Sequence, residues 1–429
     1  MTDSAAQQPP SAPGAKRALA LLLCINLFNY IDRYVLAAVE PEIRKTFFKA
    51  DDINAEAKVG WLAFAFLFSY MILSPVFGFL ADRISRWRII CFGVAIWSIA
   101  SAGSGLAATF AILLATRLFV GVGEAAYGPA APTIIADLYP IKIRGRVIAL
   151  FYMAIPVGSA LGYVLGGWMN AHHGWRSAFY IVMPPGLLLG ALCLFMKDPR
   201  QQRAAAGAAP QKRPFAIEDY VRFLRNPSYV LNTLAMTAMT FAIGGMAFWV
   251  PDYICNYRNH SDLASDNFVF GAITAVAGLL ATMLGGIVGD RLVKRFPGAY
   301  FLVSGFGMLC AFPFTIAFLY TPFPAAWWLL FCAVFCLFFN TGPSNTALAN
   351  VTLPSVRAAA FALNIFIIHF LGDAISPALM GWVSGHWNMN VAFLFVAFLM
   401  LLASALWFYG VKHLPRDTDV VAREEAGAG

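Results

Sequence analysis

Twelve long apolar runs follow one another along the chain, and they constrain its fold more than any other feature. They cover residues 18–39, 59–81, 89–107, 110–136, 146–171, 177–196, 228–254, 268–289, 298–320, 325–349, 359–385 and 391–411. Each is about the 20 residues that a helix needs to cross hydrocarbon. In lipid every backbone amide and carbonyl must be bonded internally, which leaves helices or a closed barrel. The runs are too long and too continuous in apolar character for barrel strands. The expected fold is therefore an all-α membrane protein with twelve transmembrane helices. Composition agrees: charged residues make up 12% of the chain, about half the share found in soluble domains.

The net charge of +8 is read as an orientation signal, not as a nucleic-acid footprint. With the N-terminus inside, the segments on the cytoplasmic side carry 22 of the 30 Lys and Arg residues and the outer loops carry six. That bias predicts an inner-membrane protein with both termini in the cytoplasm. Residues 1–17 read as a disordered cytoplasmic tail without the order of a cleaved signal. Residues 18–196 and 227–411 read as two six-helix bundles. They are separated by a linker, 197–226, in which Phe215 to Leu224 form a short amphipathic helix on the membrane surface. Residues 412–429 complete the chain as a second tail. The seven cysteines lie mostly in apolar runs, with no CxxC pair, so neither a disulfide framework nor a metal site is expected.

The two halves repeat. Gly78 to Arg83 after the second run matches Gly286 to Arg291 after the eighth, at an offset of 208 residues. Arg144 matches Arg357 at 213, and Gly158 and Trp168 match Gly372 and Trp382 at 214. A near-constant offset predicts two pseudo-symmetric six-helix bundles with a substrate site at the membrane midplane.

Six ionisable residues stand out deep within apolar runs: Asp32 and Arg33 in the first, Arg117 and Glu124 in the fourth, His369 and Asp373 in the eleventh. Each costs about 2.5–3.5 kcal/mol at the bilayer centre on insertion scales, so such groups face a polar interior and have roles. Arg117 and Glu124 are seven residues apart, on one helix face. Cross-pairing of Asp32 with Arg117, or of Arg33 with Glu124, would lower the cost and leave a network open to protonation. Glu124 and Asp32 are the proton-coupling candidates. His369 and Asp373, at i and i+4, either titrate or hydrogen-bond on one helix.

At the cytoplasmic mouths, Asp82 with Arg83 and Arg86, and Asp290 with Arg291, are read as gate elements. Asp82 would dock at the start of span eleven near Arg357, and Asp290 at the start of span five near Arg144, each gaining from a helix N-terminus. Gly158, Gly162 and Gly166 form a close-packing face. Asn232, Thr233, Asn340, Thr341, Ser344 and Asn345 either line the second half of a cavity or bond between helices. Tyr34 and Tyr127 lie beside the charges. The GxGxxA at Gly121 has no preceding strand and is not a nucleotide fingerprint. No nucleophile–base set is apparent, and no cofactor is expected.

The loop from Gly78 to Arg86 resembles the signature loop of the major facilitator superfamily, and Arg117 with Gly121 resembles its span-four motif. Gly158 to Gly167 is similar to its span-five motif, with Tyr163 where that family usually has proline. A narrower resemblance, to the Spinster family, rests on Asn29-Tyr30-Ile31-Asp32-Arg33-Tyr34, on Gly121 to Tyr127 with Ala131 to Leu138, on Ala154 to Ser159, and on His369 to Asp373 with Ser376-Pro377. Asp137, within the second of these stretches, joins the gate set. The resemblance implies a major facilitator fold and a transporter of lysolipids or sphingolipid-like anions working by alternating access. Arginine suits a phosphate headgroup, so Arg33 and Arg117, with Tyr34, Tyr127, Asn340 and Asn345, are the expected substrate-binding residues. The expected partners are the amphiphile, protons and the bilayer, with the protein a monomer. The competing readings are a carrier of another organic anion or drug, a transporter-like lipid receptor, and an intramembrane enzyme.

Overall fold

The computed structural model describes residues 14–81, 83–199, 222–260, 262–353 and 356–427. Among them twelve helices are long and apolar enough to cross a membrane. In chain order, spans one to six are Ala15–Ala38, Ala55–Ala81, Arg86–Gly105, Phe110–Leu138, Arg146–His173 and Trp175–Cys193. Spans seven to twelve are Pro227–Tyr257, Leu263–Leu292, Ala299–Tyr320, Ala325–Asn350, Ala359–His386 and Met389–Gly410. Each expected run lies on one of these helices. All regular elements among the described residues are helical.

Several spans are interrupted, and the interruptions follow proline. A proline lacks the amide that would bond the carbonyl four residues back and its ring crowds that carbonyl. Span four breaks between Tyr127 and Ala130, around Gly128-Pro129, and span five breaks at Met153, three residues before Pro156. Span ten breaks at Asn340, three before Pro343. Span eleven passes through a wider π-helical turn, His369–Asp373, before Pro377, and Gly372 within it leaves helical geometry. These turns lie beside or within the expected functional stretches, a common place for such irregularities.

The chain divides into two compact units. The first holds span one through Val39 and the residues from Ala65 to the linker. Its spans are set by glycine. A Cβ on Gly158 would lie 2.7 Å from the Tyr30 Cβ, and one on Gly162 would lie 2.7 Å from the Ile31 carbonyl oxygen and 2.8 Å from the Tyr34 Cβ. On Gly166 it would lie 2.7 Å from the Ala38 Cβ. Span five therefore packs backbone to backbone against span one, behind Asp32 and Arg33. In span four, Gly121 abuts the Phe66 carbonyl and Gly123 abuts the Gly93 carbonyl and the Trp97 amide. One helix is thus brought close to spans two and three at once.

The second unit takes in Glu40–Phe64 together with the residues after the linker. Residues 53–60 lie close against span eleven, where Gly60 meets the Pro377–Ala378 backbone and Gly381 and Gly385 meet the backbone at Glu56 and Ile53. Of the expected amphipathic linker helix, residues 215–221 lie outside the described residues. Residues 222–225 are helical, but Phe223 is buried in protein and stacks on Tyr229 with ring centroids 5.5 Å apart, so it does not lie on lipid. The segment expected as a tail is a helix, Leu414–Gly427. Its Asp417 accepts the Ser228 amide at 3.0 Å and caps the first turn of span seven.

Gly162→Val should lower the thermal unfolding midpoint of the purified protein by an amount equivalent to about 1–3 kcal/mol, because the added methyls meet span-one backbone. Gly286→Ala, where a Cβ meets nothing within 4 Å, should leave the midpoint unchanged or raise it.

Candidate substrate and proton site

In the first unit, Arg33 and Glu124 form a two-bond ion pair. The Arg33 Nε donates to Glu124 Oε2 at 2.7 Å, and a terminal guanidinium nitrogen lies 2.6 Å from the same oxygen. The Glu124 side chain is fully buried, while that of Arg33 keeps 20% of its surface exposed. Three rings surround the guanidinium: Tyr30, Phe66 and Tyr70, with centroids 5.0, 4.9 and 5.3 Å from Cζ. Arg33 is therefore held by one carboxylate oxygen and by aromatic faces. The buried Asn29 side-chain amide lies beside the Glu124 carboxylate, although no well-aligned hydrogen bond reaches the second oxygen, Oε1.

The pairing of Asp32 with Arg117 that charge alone suggests does not form as a direct bond. Both are instead held by hydroxyls of span three. Ser101 donates to Asp32 Oδ1, and an Arg117 terminal nitrogen donates to the Ser104 hydroxyl at 2.7 Å. The Arg117 guanidinium lies over the Phe179 ring at 5.2 Å. Asp32 Oδ2 and Arg117 Nε have no protein partner although both residues are buried. Charge neutrality thus operates across the set, with one direct pair and two residues held by neutral donors and acceptors. The span-three serines Ser101 and Ser104 are a part of this site that sequence reasoning missed. Their spacing of three is the signal that could have found them, since it places both along one helix flank.

The remaining expected binding residues separate. Tyr34 packs on Tyr163, centroids 5.2 Å apart. Tyr127 is core: it is buried, its hydroxyl donates to the Leu22 carbonyl at 2.8 Å, and its ring lies between Trp97 and Phe151. In the second unit, Asn340 is buried at the span-ten break and donates to the Leu337 carbonyl, and Asn345 donates to the Thr341 carbonyl within the same helix. Asn232 bonds between helices, donating to the Ser344 carbonyl and accepting from the Trp407 indole. Asn364 donates to the Thr233 hydroxyl. His369 Nδ1 lies 2.9 and 3.0 Å from the two oxygens of Asp373, inside the π turn.

The gate residues divide likewise. Asp82 and the Arg144 side chain lie outside the described residues, so their docking contacts do too. Arg83 covers the Phe79 ring at 3.7 Å. Arg86 is locked within the first unit. Its backbone amide and its guanidinium bond Asp198 at 2.8 and 2.5 Å, another nitrogen reaches Asp137 at 2.7 Å, and the Thr133 hydroxyl accepts at 3.1 Å. Asp198 was not singled out from sequence, and the Asp-Pro directly after span six is the only local hint of it. Asp290 accepts from the Tyr300 hydroxyl at 3.0 Å, Arg291 is exposed, and Arg357 donates to the Thr352 carbonyl at 3.1 Å.

Comparison with known proteins decides the family. Residues 22–375 match the model of the Major Facilitator Superfamily. Protein spinster homolog 3 of Danio rerio is 38% identical over 385 residues, covering 86% of this chain and 76% of that protein. Protein spinster homolog 1 of Homo sapiens is 36% identical, covering 88% and 75%. This chain is a Spinster-family transporter of the major facilitator superfamily.

The fold agrees. A crystal structure of a bacterial homologue of the human lysosomal transporter Spinster, inward-facing and unoccupied, superposes with a TM-score of 0.81 at 22% identity, covering 95% of this chain and 99% of that one. The D-xylose-proton symporter superposes at 0.71 with 16% identity, covering 91% and 96%. As a Spinster-family member the chain is a multi-pass membrane carrier and not an enzyme.

Replacing Arg33 with Ala leaves the Glu124 carboxylate buried without its cation. The expected loss of stability is about 3–5 kcal/mol. Arg33→Ala combined with Glu124→Gln should recover most of that loss, as read from unfolding midpoints of the two variants and of each single change.

Proposed function

We propose that the protein is a proton-coupled carrier of an anionic, single-chain amphiphile of the lysolipid or sphingolipid type, working by alternating access. The observation that carries this reading is the Arg33–Glu124 pair: a largely buried cation that keeps 20% of its side-chain surface, on one buried carboxylate oxygen, with aromatic rings around it. A phosphate headgroup presents the same bidentate geometry to a guanidinium as a carboxylate does. When the anion takes Arg33, Glu124 is left in a buried place without its cation, and uptake of a proton restores neutrality. Loss of the anion reverses both steps. The exchange of one anion for another on Arg33 links substrate to proton without a further moving part. Asp32 and Arg117, each held by a serine, form the reserve of charge that keeps the set neutral. The His369–Asp373 pair is a further proton-coupling candidate, placed in the irregular turn of span eleven.

The likeness to the spinster homologues and to the bacterial homologue of a lysosomal transporter supports a carrier, and the substrate class is what the family resemblance implies. The Lys and Arg bias supports a cytoplasmic-membrane location with both termini inside, and the protein is taken as a monomer.

Uptake of a labelled lysolipid into proteoliposomes, driven in turn by a proton gradient and by a Na⁺ gradient, tests the reading. The proton gradient should accelerate uptake and the Na⁺ gradient should not. Glu124→Gln should remove the acceleration while leaving exchange of lipid. Arg33→Ala removes a charge-assisted contact of about 1.5–3 kcal/mol, which corresponds to roughly ten- to hundredfold weaker lipid affinity. Unchanged proton acceleration in Glu124→Gln would overturn the coupling assignment, and binding without flux would point instead to a receptor.

A further inference from the structure

A second set of buried acids stands apart from Arg33 and Glu124, in the second unit, where residues 40–64 meet the ends of spans seven and eleven. Among the described residues Arg44 is its only embedded cation. One terminal nitrogen donates to Glu56 Oε1 at 2.5 Å and the other to Asp252 Oδ1 at 2.9 Å. Its Nε lies 3.8 Å from Glu40 Oε1. Asn256 also donates to Asp252 Oδ1, and the Tyr257 hydroxyl donates to Glu56 Oε1 while lying 3.3 Å from the Ser384 hydroxyl. Of the neighbouring lysines, Lys45 is exposed and paired with Glu42 at 2.8 Å, and Lys58 is paired with Asp52 at 2.6 Å.

Three carboxylates therefore share one guanidinium. Glu40 and Asp252 are fully buried and Glu56 keeps 12% of its side-chain surface. Fully ionised, the set would hold two uncompensated negative charges, and each buried unpaired ion is strongly disfavoured. The residues divide the donors unequally. Glu56 and Asp252 each accept two hydrogen bonds, whereas neither oxygen of Glu40 accepts any. Glu40 is the acid left to carry a proton.

We propose that Glu40 is a second proton-binding site, which when loaded holds residues 40–64 on the ends of spans seven and eleven and when emptied lets them go. By chain parity this set lies on the membrane face opposite the chain ends, which the charge bias reads as the outer face. Burial, and then the Asp252 carboxylate beside it, raise the Glu40 proton affinity above the ordinary glutamate range, against the opposing pull of Arg44. The sign follows from linkage. A carboxyl whose affinity is raised in the assembled set favours assembly fully below its ordinary pKa, about 4.3. That contribution is lost as the pH rises through the raised value. External acid locks this contact and external base loosens it. The site does not depend on the lipid or on Glu124.

The test measures the distance between spin labels at Asp51→Cys and His386→Cys in the full-length protein in lipid nanodiscs, without substrate, with the native cysteines replaced by alanine. Asp51 and His386 are both exposed. Between about pH 5 and about pH 9 the unmodified set should gain a longer-distance population. Glu40→Gln, which mimics the loaded state, should keep the short distance at both pH values. Asp252→Asn removes one of the competing charges and should do the same, which keeps the test decisive if Glu40→Gln does not yield folded protein. A distance that ignores pH in the unmodified set, or one that lengthens equally in either variant, overturns the proposal.

Discussion

A charged side chain inside hydrocarbon needs a partner, and the first unit is organised around meeting that need for Arg33 and Glu124. The ion pair joins spans one and four through a single carboxylate oxygen, with the acid completely buried. It forms because glycines let the helices come close. Gly158, Gly162 and Gly166 bring span five onto the back of span one, and Gly121 and Gly123 bring span four onto spans two and three. Larger residues at those positions would hold the helices apart and leave the charges in a region where neither has a substitute for water.

The protein uses buried charge in three different ways. Arg86 is saturated, with Asp198, Asp137 and Thr133 all bonded to it and little surface exposed. A group with every donor engaged is a fixed joint. Arg33 has one carboxylate partner and three rings around it, and part of its side chain stays exposed. The set at Glu40 is short of cations, and a proton is the cheapest way to balance it. The number of donors per acid, more than the number of charges, separates a joint from a switch.

The interrupted helices extend the same logic to the backbone. The breaks in spans four, five, ten and eleven each lie within four residues of a proline, which removes a backbone donor there. The His369–Asp373 pair is held inside such a turn, where Gly372 departs from helical geometry. The aromatic and serine side chains around Arg33, Asp32 and Arg117 satisfy what the backbone does not.

The sequence by itself determined the twelve spans, the doubling of the chain, the intramembrane positions of Asp32, Arg33, Arg117 and Glu124, and the close-packing glycines. These are local properties: the length of an apolar run, the spacing of glycines along one helix, and the cost of an ion at a given depth. Charge balance also narrowed the pairing to two choices. Only the tertiary structure decided that Arg33 bonds Glu124 while Asp32 and Arg117 turn to Ser101 and Ser104. It also decided that Tyr127 is packing, that Asp198 completes the Arg86 joint, and that residues 40–64 bring Arg44 to Asp252, 208 positions away. Those outcomes depend on how each helix is rotated and which backbone lies across from it. Rotation is set by contacts between residues far apart in the chain, so no window of sequence contains it.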